Sequence, residues 1–319
     1  MKGQVIVVGG GPAGLSAATA AAAVGARVQL LEERPEVGGQ LRYRVQPVHP
    51  ALDGSGERPR VLAHLLTAAA LDAGVEIRTN AAVVGWFPGN ELMVVGPDDG
   101  SRLRAETIVV ATGSADLPYP FAGATFPGVF SARGLQMLLN QHRVLPGQRY
   151  AVIGGGDEAE ELTVDIHLSG GEVVWAGVAP APFLRARGAT GVSGLQVGQD
   201  RYEVDVIAIA LGRQPDAALA MMAGAAVGMS PVLGGFTPIV DEQMQSGRPG
   251  VLVAGDAAGA GSVAAAIGEG RIAGLAAANN LGLIDDAVVT EAVMTRGAEV
   301  EWRSAVRAEL QPRFSQPFE

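Results

Sequence analysis

The 319-residue chain is 48% hydrophobic and 18% charged, enough to bury two cores of ordinary size, so a two-domain globular protein is expected. A formal net charge of -10 opposes a phosphate backbone, and nucleic acid is not an expected partner. Cys is absent, which removes disulfides, thiolate nucleophiles and Cys-ligated zinc or iron–sulfur sites, so any redox chemistry must run on a bound cofactor.

The chain enters a strand-like run, Gln4 to Val8, directly after Met1, without a charged leader or cleavable apolar stretch. The apolar stretches Ala17 to Ala23 and Val251 to Ala266 are Ala- and Gly-rich and bounded or interrupted by Arg27 or Asp256, so no membrane span is expected and the protein is placed in the cytoplasm. After Val8 come a glycine turn, a helix over Ala13 to Val24, the Gly25 stop and a strand over Arg27 to Leu31. A helix over Val61 to Ala73 ends at Gly74 and leads into the strand Val75 to Arg78. Val83 to Phe87 and Glu91 to Val95 flank Pro88, Gly89 and Asn90 as an antiparallel hairpin, and Thr107 to Ala111 is a further buried strand.

A Pro- and Gly-rich stretch, Leu117 to Gly128, marks a boundary. Beyond it the pattern predicts a strand over Tyr150 to Ile153, a second glycine turn, a helix over Asp157 to Leu168, a strand over Glu172 to Gly177, a short hairpin within Val192 to Val204, and a strand over Val206 to Leu211. Val251 to Ala254 is a strand followed by Gly255, Asp256 and a long Ala-rich helix from about Ser262 to Leu281. Residues from Asp285 onward form a tail with one helical window whose apolar face is Trp302, Val306 and Leu310.

Gly9, Gly11 and Gly14 form G-x-G-x-x-G between a strand and a helix that also carries Pro12 and Ala13 in its first turn, and Glu32 and Glu33 close the next strand. Each part has a physical role in holding a dinucleotide. Gly9 permits the tight turn, Gly11 lets backbone approach a diphosphate, Gly14 lets helix and strand pack closely, and an acid accepts from ribose hydroxyls. Gly154, Gly156 and Ala159 repeat the motif as G-x-G-x-x-A, but Ala176 and Gly177 end the following strand where an acid for NAD would stand. Arg185 and Arg187 come only after a Pro-rich loop, and Glu158, Glu160 and Glu161 load negative charge on the turn that would meet a diphosphate. NAD(P) binding there is doubtful; a purely structural turn and some nucleotide occupancy both remain open.

Gly38, Gly39, Gln40 and Leu41, the run Val109 to Gly113, and Gly250 to Asp256 together resemble the thioredoxin-reductase-like superfamily of two-domain FAD flavoproteins over nearly the whole chain. The resemblance implies an α/β fold: a Rossmann-type FAD domain formed by N- and C-terminal segments, with an inserted, abridged second dinucleotide-binding-like domain. The expected divisions are 1–116, 117–240 for the insert, 241–284, and a helical tail over 285–319. It further implies that Glu32 contacts the adenosine ribose, that Gln40 lies beside the flavin, that Ala111, Thr112 and Gly113 back the cofactor, and that Asp256 after Gly255 binds the ribityl-diphosphate part. Glu33, Gly39 and Val83 belong to the same expected site, and the helix start at Ser262 and Val263 points at the flavin pyrimidine, where its dipole favours the anionic reduced form.

No Cys pair exists for the dithiol chemistry of thioredoxin reductase itself. Pro118 to Gly134, Gly234 to Met244 and Gly268 to Gly274 resemble the FAD-binding subunits of opine oxidases, hydrogen cyanide synthase and dye-linked proline dehydrogenases, related to the alpha chain of sarcosine oxidase. That resemblance implies oxidation of an amine C–N bond to an imine beside a second flavoprotein subunit; a homo-oligomer is the other expected assembly. The chain departs from part of the group in lacking a Cys-rich cluster segment, which leaves the electron acceptor open. Two rivals stand beside this expectation: a stand-alone NAD(P)H-dependent flavin reductase and a non-catalytic nucleotide-binding scaffold. His49, His64, His142 and His167 have no ligand spacing, so no metal is expected. Arg42, Tyr43, Arg44 and His49 follow the flavin-facing turn and line either a substrate or partner opening or an ordinary exposed loop.

Overall fold

A computed structural model describes residues 3–48, 56–97 and 100–312. They divide into two compact units, one formed by the described residues of 1–42, 47–114 and 214–319, the other by 43–46 and 115–213.

The first unit is built on a five-stranded parallel sheet in the order Val251–Val253, Thr107–Val110, Gln4–Val8, Arg27–Leu31, Glu76–Arg78. Gln4–Val8, Thr107–Val110 and Val251–Val253 are rich in β-branched residues and wholly buried, as a sheet covered on both faces requires. The Pro12–Ala23 helix makes the first crossover. Pro12 fits the start, where its missing N–H would have no helical partner, and Gly25 at φ 96° supplies the left-handed stop. A second helix, Val263–Asn280, runs alongside in the same direction, and small residues set the distance between them. A Cβ on Gly270 would lie 2.2 Å from the Ala13 carbonyl oxygen, and one on Gly274 2.2 Å from that of Ala17. The two backbones are in contact, so no larger side chain fits at either crossing.

The second unit carries a parallel sheet in the order Glu172–Gly177, Arg149–Gly154, Val206–Ala210, Val129–Ser131. Alternation along its central strand divides two cores. Tyr150 and Val152 face Leu162, Ile166 and Leu135 of the Asp157–Leu168 and Ala132–Gln136 helices, while Ala151 and Ile153 face Leu184 and Leu195. The latter belong to an antiparallel sheet, Leu184–Arg187, Gly194–Val197 and Asp200–Tyr202, which stands where a longer insert would have another βαβ crossover.

The expected boundary at residue 240 is corrected: residues 214–240 belong to the first unit, because Leu219, Ala220, Ala225 and Val240 pack in its core. The tail is not a separate segment either. It forms two helices, Asp286–Met294 and Ala298–Ala308, and Val289, Ala292, Val293 and Val300 join the same core. The expected apolar face of the last helix is also wrong. Trp302 is 48% exposed, and the buried face is Val300, Arg303, Ser304 and Arg307. The hairpin of Ala82–Phe87 and Glu91–Val95 gains a third strand, Gly100–Arg104. No helix among the described residues is long and apolar enough to cross a membrane.

Two predictions come from the packing. Gly270→Ala raises helix propensity, yet forces a methyl against a backbone carbonyl, so a net loss of about 2 kcal/mol in thermal or urea unfolding is expected. In the second unit, Asp165 is 1% exposed; its Oδ2 accepts from Gln136 (2.9 Å) and Asn140 (3.0 Å), and its Oδ1 has no hydrogen-bond partner among the described residues. Burial pushes this carboxyl up, against the pull of hydrogen bonds from Asn140, Gln136 and Gln46. The native state therefore holds the proton more tightly than the unfolded chain. That contribution is complete below the ordinary Asp value and fades as pH rises through the raised one. Denaturant titrations taken upward from the ordinary Asp range should show stability falling more steeply in the wild type than in Asp165→Asn; parallel profiles would refute the assignment.

Candidate functional site

The carboxyl ends of the first unit's strands gather nearly all the residues singled out above. Gly9 sits at φ 105°, and a Cβ there would lie 2.3 Å from the Ala111 carbonyl oxygen; a Cβ on Gly14 would lie 1.8 Å from that of Gly9. Both glycines are required by the protein's own packing. Gly11 differs: the nearest atom to its Cβ position is the Gly39 Cα at 4.0 Å, so open space lies over the helix start. That helix has no side-chain cap and no acidic residue in its first turn, which leaves the N–H groups of Ala13 and Gly14 and the positive end of the dipole available to an anion. Pro12 in this turn contributes no donor.

On the Arg27–Leu31 side, Glu32 is 7% exposed and accepts from the Gly10 N–H (2.7 Å) and the Arg34 N–H (2.9 Å). Glu32 and Glu33 line a cavity of about 240 Å³ together with Gly9, Val83, Thr112, Asp216, Leu219 and Met222. The last three were missed by sequence reasoning. The chain returns here after the insert, held by Thr112 Oγ1 donating to the Asp216 carbonyl (2.8 Å) and the Asp216 N–H donating to Gly113 (2.9 Å), and no motif marks that return.

On the opposite side, Gly255 at φ 70° approaches Ala13, whose Cβ would be 2.5 Å from a Cβ at Gly255. Asp256, 6% exposed, is the meeting point: its Oδ2 accepts from Ser114 Oγ (2.8 Å) and Gln40 Nε2 (3.3 Å), and its Oδ1 from the Gly261 N–H (3.2 Å). Gly39 passes close above Gly11, and Gln40 is thereby delivered to Asp256. Ser262 caps the Val263–Asn280 helix through the Ala265 N–H (3.1 Å), while the Val263 side chain is buried against Leu41, Leu62 and Ile267. A dinucleotide laid across this edge would meet a helix start open to an anion in the middle, carboxylates and a cavity at one end, and a buried aspartate at the other. These residues fit FAD.

Behind the Gly255–Ala258 turn lies a cluster that sequence reasoning did not find. Glu269 accepts from Arg303 Nε (2.7 Å), Arg307 Nη2 (2.6 Å) and the Gly255 N–H (3.0 Å). Arg303 Nη2 also donates to the carbonyls of Gly255 (3.2 Å) and Gly259 (2.6 Å), and Arg307 Nε to that of Ala258 (2.7 Å). Both guanidiniums are buried, at 1% and 0% exposure. Desolvation pulls each down; for Arg303 the charge and hydrogen bond of Glu269, together with the charges of Asp256 and Glu299, more than offset this, whereas Arg307, repelled also by Arg303, stays lowered.

The second glycine turn has a different electrostatic character. Gly154 is packed against the Ala210 carbonyl oxygen, 1.9 Å from its Cβ position, whereas Gly156, at φ 71°, has open space and Ala159 is buried. Asp157, Glu158 and Glu160 occupy the first helical turn, and Glu158 Oε2 accepts from the Gly212 N–H (3.0 Å). Burial pushes the Glu158 carboxyl up, opposed mainly by the Arg213 charge. Of the loop after the Gly39–Arg42 turn, Arg42 pairs with Glu36, Tyr43 is buried, Arg44 pairs with Glu161, and His49 lies outside the described residues.

The profile of the pyridine nucleotide-disulphide oxidoreductase family matches residues 3–190, more than half of the chain, and the chain belongs to that family. It is an FAD-dependent oxidoreductase. An opine oxidase subunit of Rhizobium meliloti (strain 1021) is 26% identical over 97% of this chain and 78% of the relative. The alpha chain of sarcosine oxidase from Corynebacterium sp. (strain P-1) is 30% identical over 66% of this chain, which spans only 26% of that relative. The crystal structure of L-proline dehydrogenase from P. horikoshii aligns with a TM-score of 0.75 at 24% identity, covering 99% of this chain and 60% of that one, and shares the fold.

The open space over Gly11 gives a direct test. In Gly11→Val the first side-chain carbon would stand over the helix start with no protein atom nearer than the Gly39 Cα at 4.0 Å, so the variant should fold and keep most of its thermal stability while losing most of its bound FAD by absorbance. Asp256→Ala should lose FAD as well; full FAD retention in both variants would remove the basis for the site.

Proposed function

We propose that this chain is the FAD-binding subunit of an enzyme that oxidises the C–N bond of an amine or imino acid of opine, proline or sarcosine type, passing electrons to an acceptor other than NAD(P). The observation that carries this reading is the contrast between the two glycine turns. The Gly9–Gly14 turn presents an uncapped helix start without acidic residues, whereas the Gly154–Ala159 turn sets three carboxyl groups on the first turn of its helix. A phosphate approaching the second turn meets like charge, with Glu158 already engaging Gly212.

FAD when bound supplies the two-electron acceptor for such an oxidation. The protein's own contribution is to hold it: Ala13 and Gly14 N–H groups toward the diphosphate, Glu32 toward the adenosine ribose, and Asp256, oriented by Ser114 and Gln40, toward the ribityl hydroxyls. The relatives support the substrate class and a multi-subunit assembly, since the matching opine oxidase and sarcosine oxidase chains are named as subunits. With no Cys in the chain, the dithiol relay in the family's name has no residues to run on.

The test is anaerobic titration of the purified full chain. NADH and NADPH should leave the flavin absorbance unbleached, as should proline, sarcosine or an opine until a partner subunit is supplied. Rapid bleaching by NADPH alone would overturn the proposal in favour of a flavin reductase.

A further inference from the structure

The last helix does more than cover the core: it supports residues 255–262, the stretch that carries Asp256 and leads into the Val263–Asn280 helix. Arg303 and Arg307 take up the carbonyls of Gly255, Ala258 and Gly259. One turn earlier, Glu299 reaches Ser262: its Oε1 accepts from the Ser262 N–H (2.9 Å), and its Oε2 accepts from Ser262 Oγ in a short bond. The fit is tight, since a Cβ on Gly261 would lie 2.0 Å from Arg303 Nη1 and 3.2 Å from Glu299 Oε1. A carboxylate from the tail thus sits on the start of an 18-residue helix whose own first turn contains no acidic residue.

The topology shows what that helix start faces. In the sheet, Val251–Val253 and Arg27–Leu31 lie on opposite sides of Gln4–Val8, and ligands of such sheets lie outside the carboxyl ends of the strands. A dinucleotide with its diphosphate on the Pro12–Ala23 helix and its adenosine toward Glu32 must extend its other half toward Gly255–Val263. For FAD that half is the flavin. Since the two helices run in the same direction in backbone contact, both of their positive ends lie on this side.

We infer that Glu299 is a positioning residue that sets the redox equilibrium of the flavin: its carboxylate, lodged on Ser262, offsets the positive end of the Val263–Asn280 helix and disfavours the added negative charge of the reduced cofactor. The dipole of this helix, expected to favour the anionic reduced form, would thus be opposed by a charge from the tail. Two-electron reduction with uptake of one proton leaves the flavin with one more negative charge, so a neighbouring carboxylate opposes it and its removal assists it. The inference rests on the proposed FAD placement but not on the identity of the amine substrate.

The experiment compares the full-length wild type with Glu299→Gln, which keeps an acceptor for Ser262 without the charge, and Glu299→Asp, which keeps the charge. FAD content is measured after gel filtration, and the midpoint potential by equilibration with a reference dye. Glu299→Gln should retain FAD, with the reduction equilibrium moved about tenfold toward the reduced form, equivalent to about +30 mV for a two-electron couple. Glu299→Asp should stay near the wild type. Ser262→Ala, which removes one of the two bonds holding the carboxylate, is the second variant should Glu299→Gln fold poorly, and its shift should have the same sign. FAD retained with an unchanged or more negative potential in the folded charge-removing variant would overturn the inference while leaving the FAD site standing. A wild-type chain that binds no FAD would overturn both.

Discussion

One buried carboxylate organises the cofactor side of the first unit. Glu269 lies within a helix whose surroundings are Ala, Gly, Ile and Leu, and at 0% exposure it can remain charged only if its neighbours replace water. They do so with two guanidiniums and a backbone N–H, drawn from a helix 34 to 38 residues further on and from the turn at Gly255. The cluster is not fully satisfied, since Nη1 of both Arg303 and Arg307 lacks a partner among the described residues. A well-packed apolar trio would meet the needs of stability alone as well or better. What apolar side chains could not do is hold the carbonyls of a loop in place. Gly255, Ala258 and Gly259 all give their carbonyl oxygens to these arginines, and the Asp256 side chain is left to face Ser114, Gln40 and Gly261.

That division explains how much of the site was legible. Gly9, Gly14 and Gly255 are required by contacts that recur wherever a strand, a tight turn and a helix meet, so the motif carries its geometry with it. Asp256 was singled out through the family resemblance carried by Gly250 to Asp256. Arg303 and Arg307 were not, because charged residues in a terminal helix read as its solvent face, and Trp302, Val306 and Leu310 offered a more ordinary apolar stripe. The true buried face became evident only once Glu269, itself unremarkable in a Gly-Glu-Gly-Arg run, was placed in space. Similarly, Gly100–Arg104 shows no apolar alternation and forms a strand only because Glu91–Val95 offers it an edge. The end of the insert lies earlier than the expected 240, and the packing of Leu219 and Ala220 that decides the matter carries no mark in the sequence.

The two glycine turns show that backbone and electrostatics are separate choices. Both place a glycine against a carbonyl of the neighbouring strand, at Ala111 and at Ala210, and both open a helix of 12 residues. An uncapped helix start carries partial positive charge on its free N–H groups, and something must neutralise it. In the first unit nothing in the described chain does, and that charge is left for a ligand. In the second, Asp157, Glu158 and Glu160 supply the neutralising charge from within. The same fold element is left suited to an anion in one case and carries its own opposing charge in the other, although neither helix start has a side-chain cap; three residues rather than topology make the difference.

Carried to the other end of the proposed cofactor, the same electrostatic logic gives a graded picture. The Pro12–Ala23 helix start has no acidic residue and suits a permanently charged diphosphate. The Val263–Asn280 start has none of its own either, but it receives one from Glu299 in the tail. A flavin is neutral when oxidised, so a carboxylate nearby costs little binding in that state and acts mainly when electrons arrive. Anion binding and redox tuning are thereby assigned to different helix starts, and the tail helix that carries Glu299, Arg303 and Arg307 fixes both the position of the Gly255–Ser262 loop and the charge at its end.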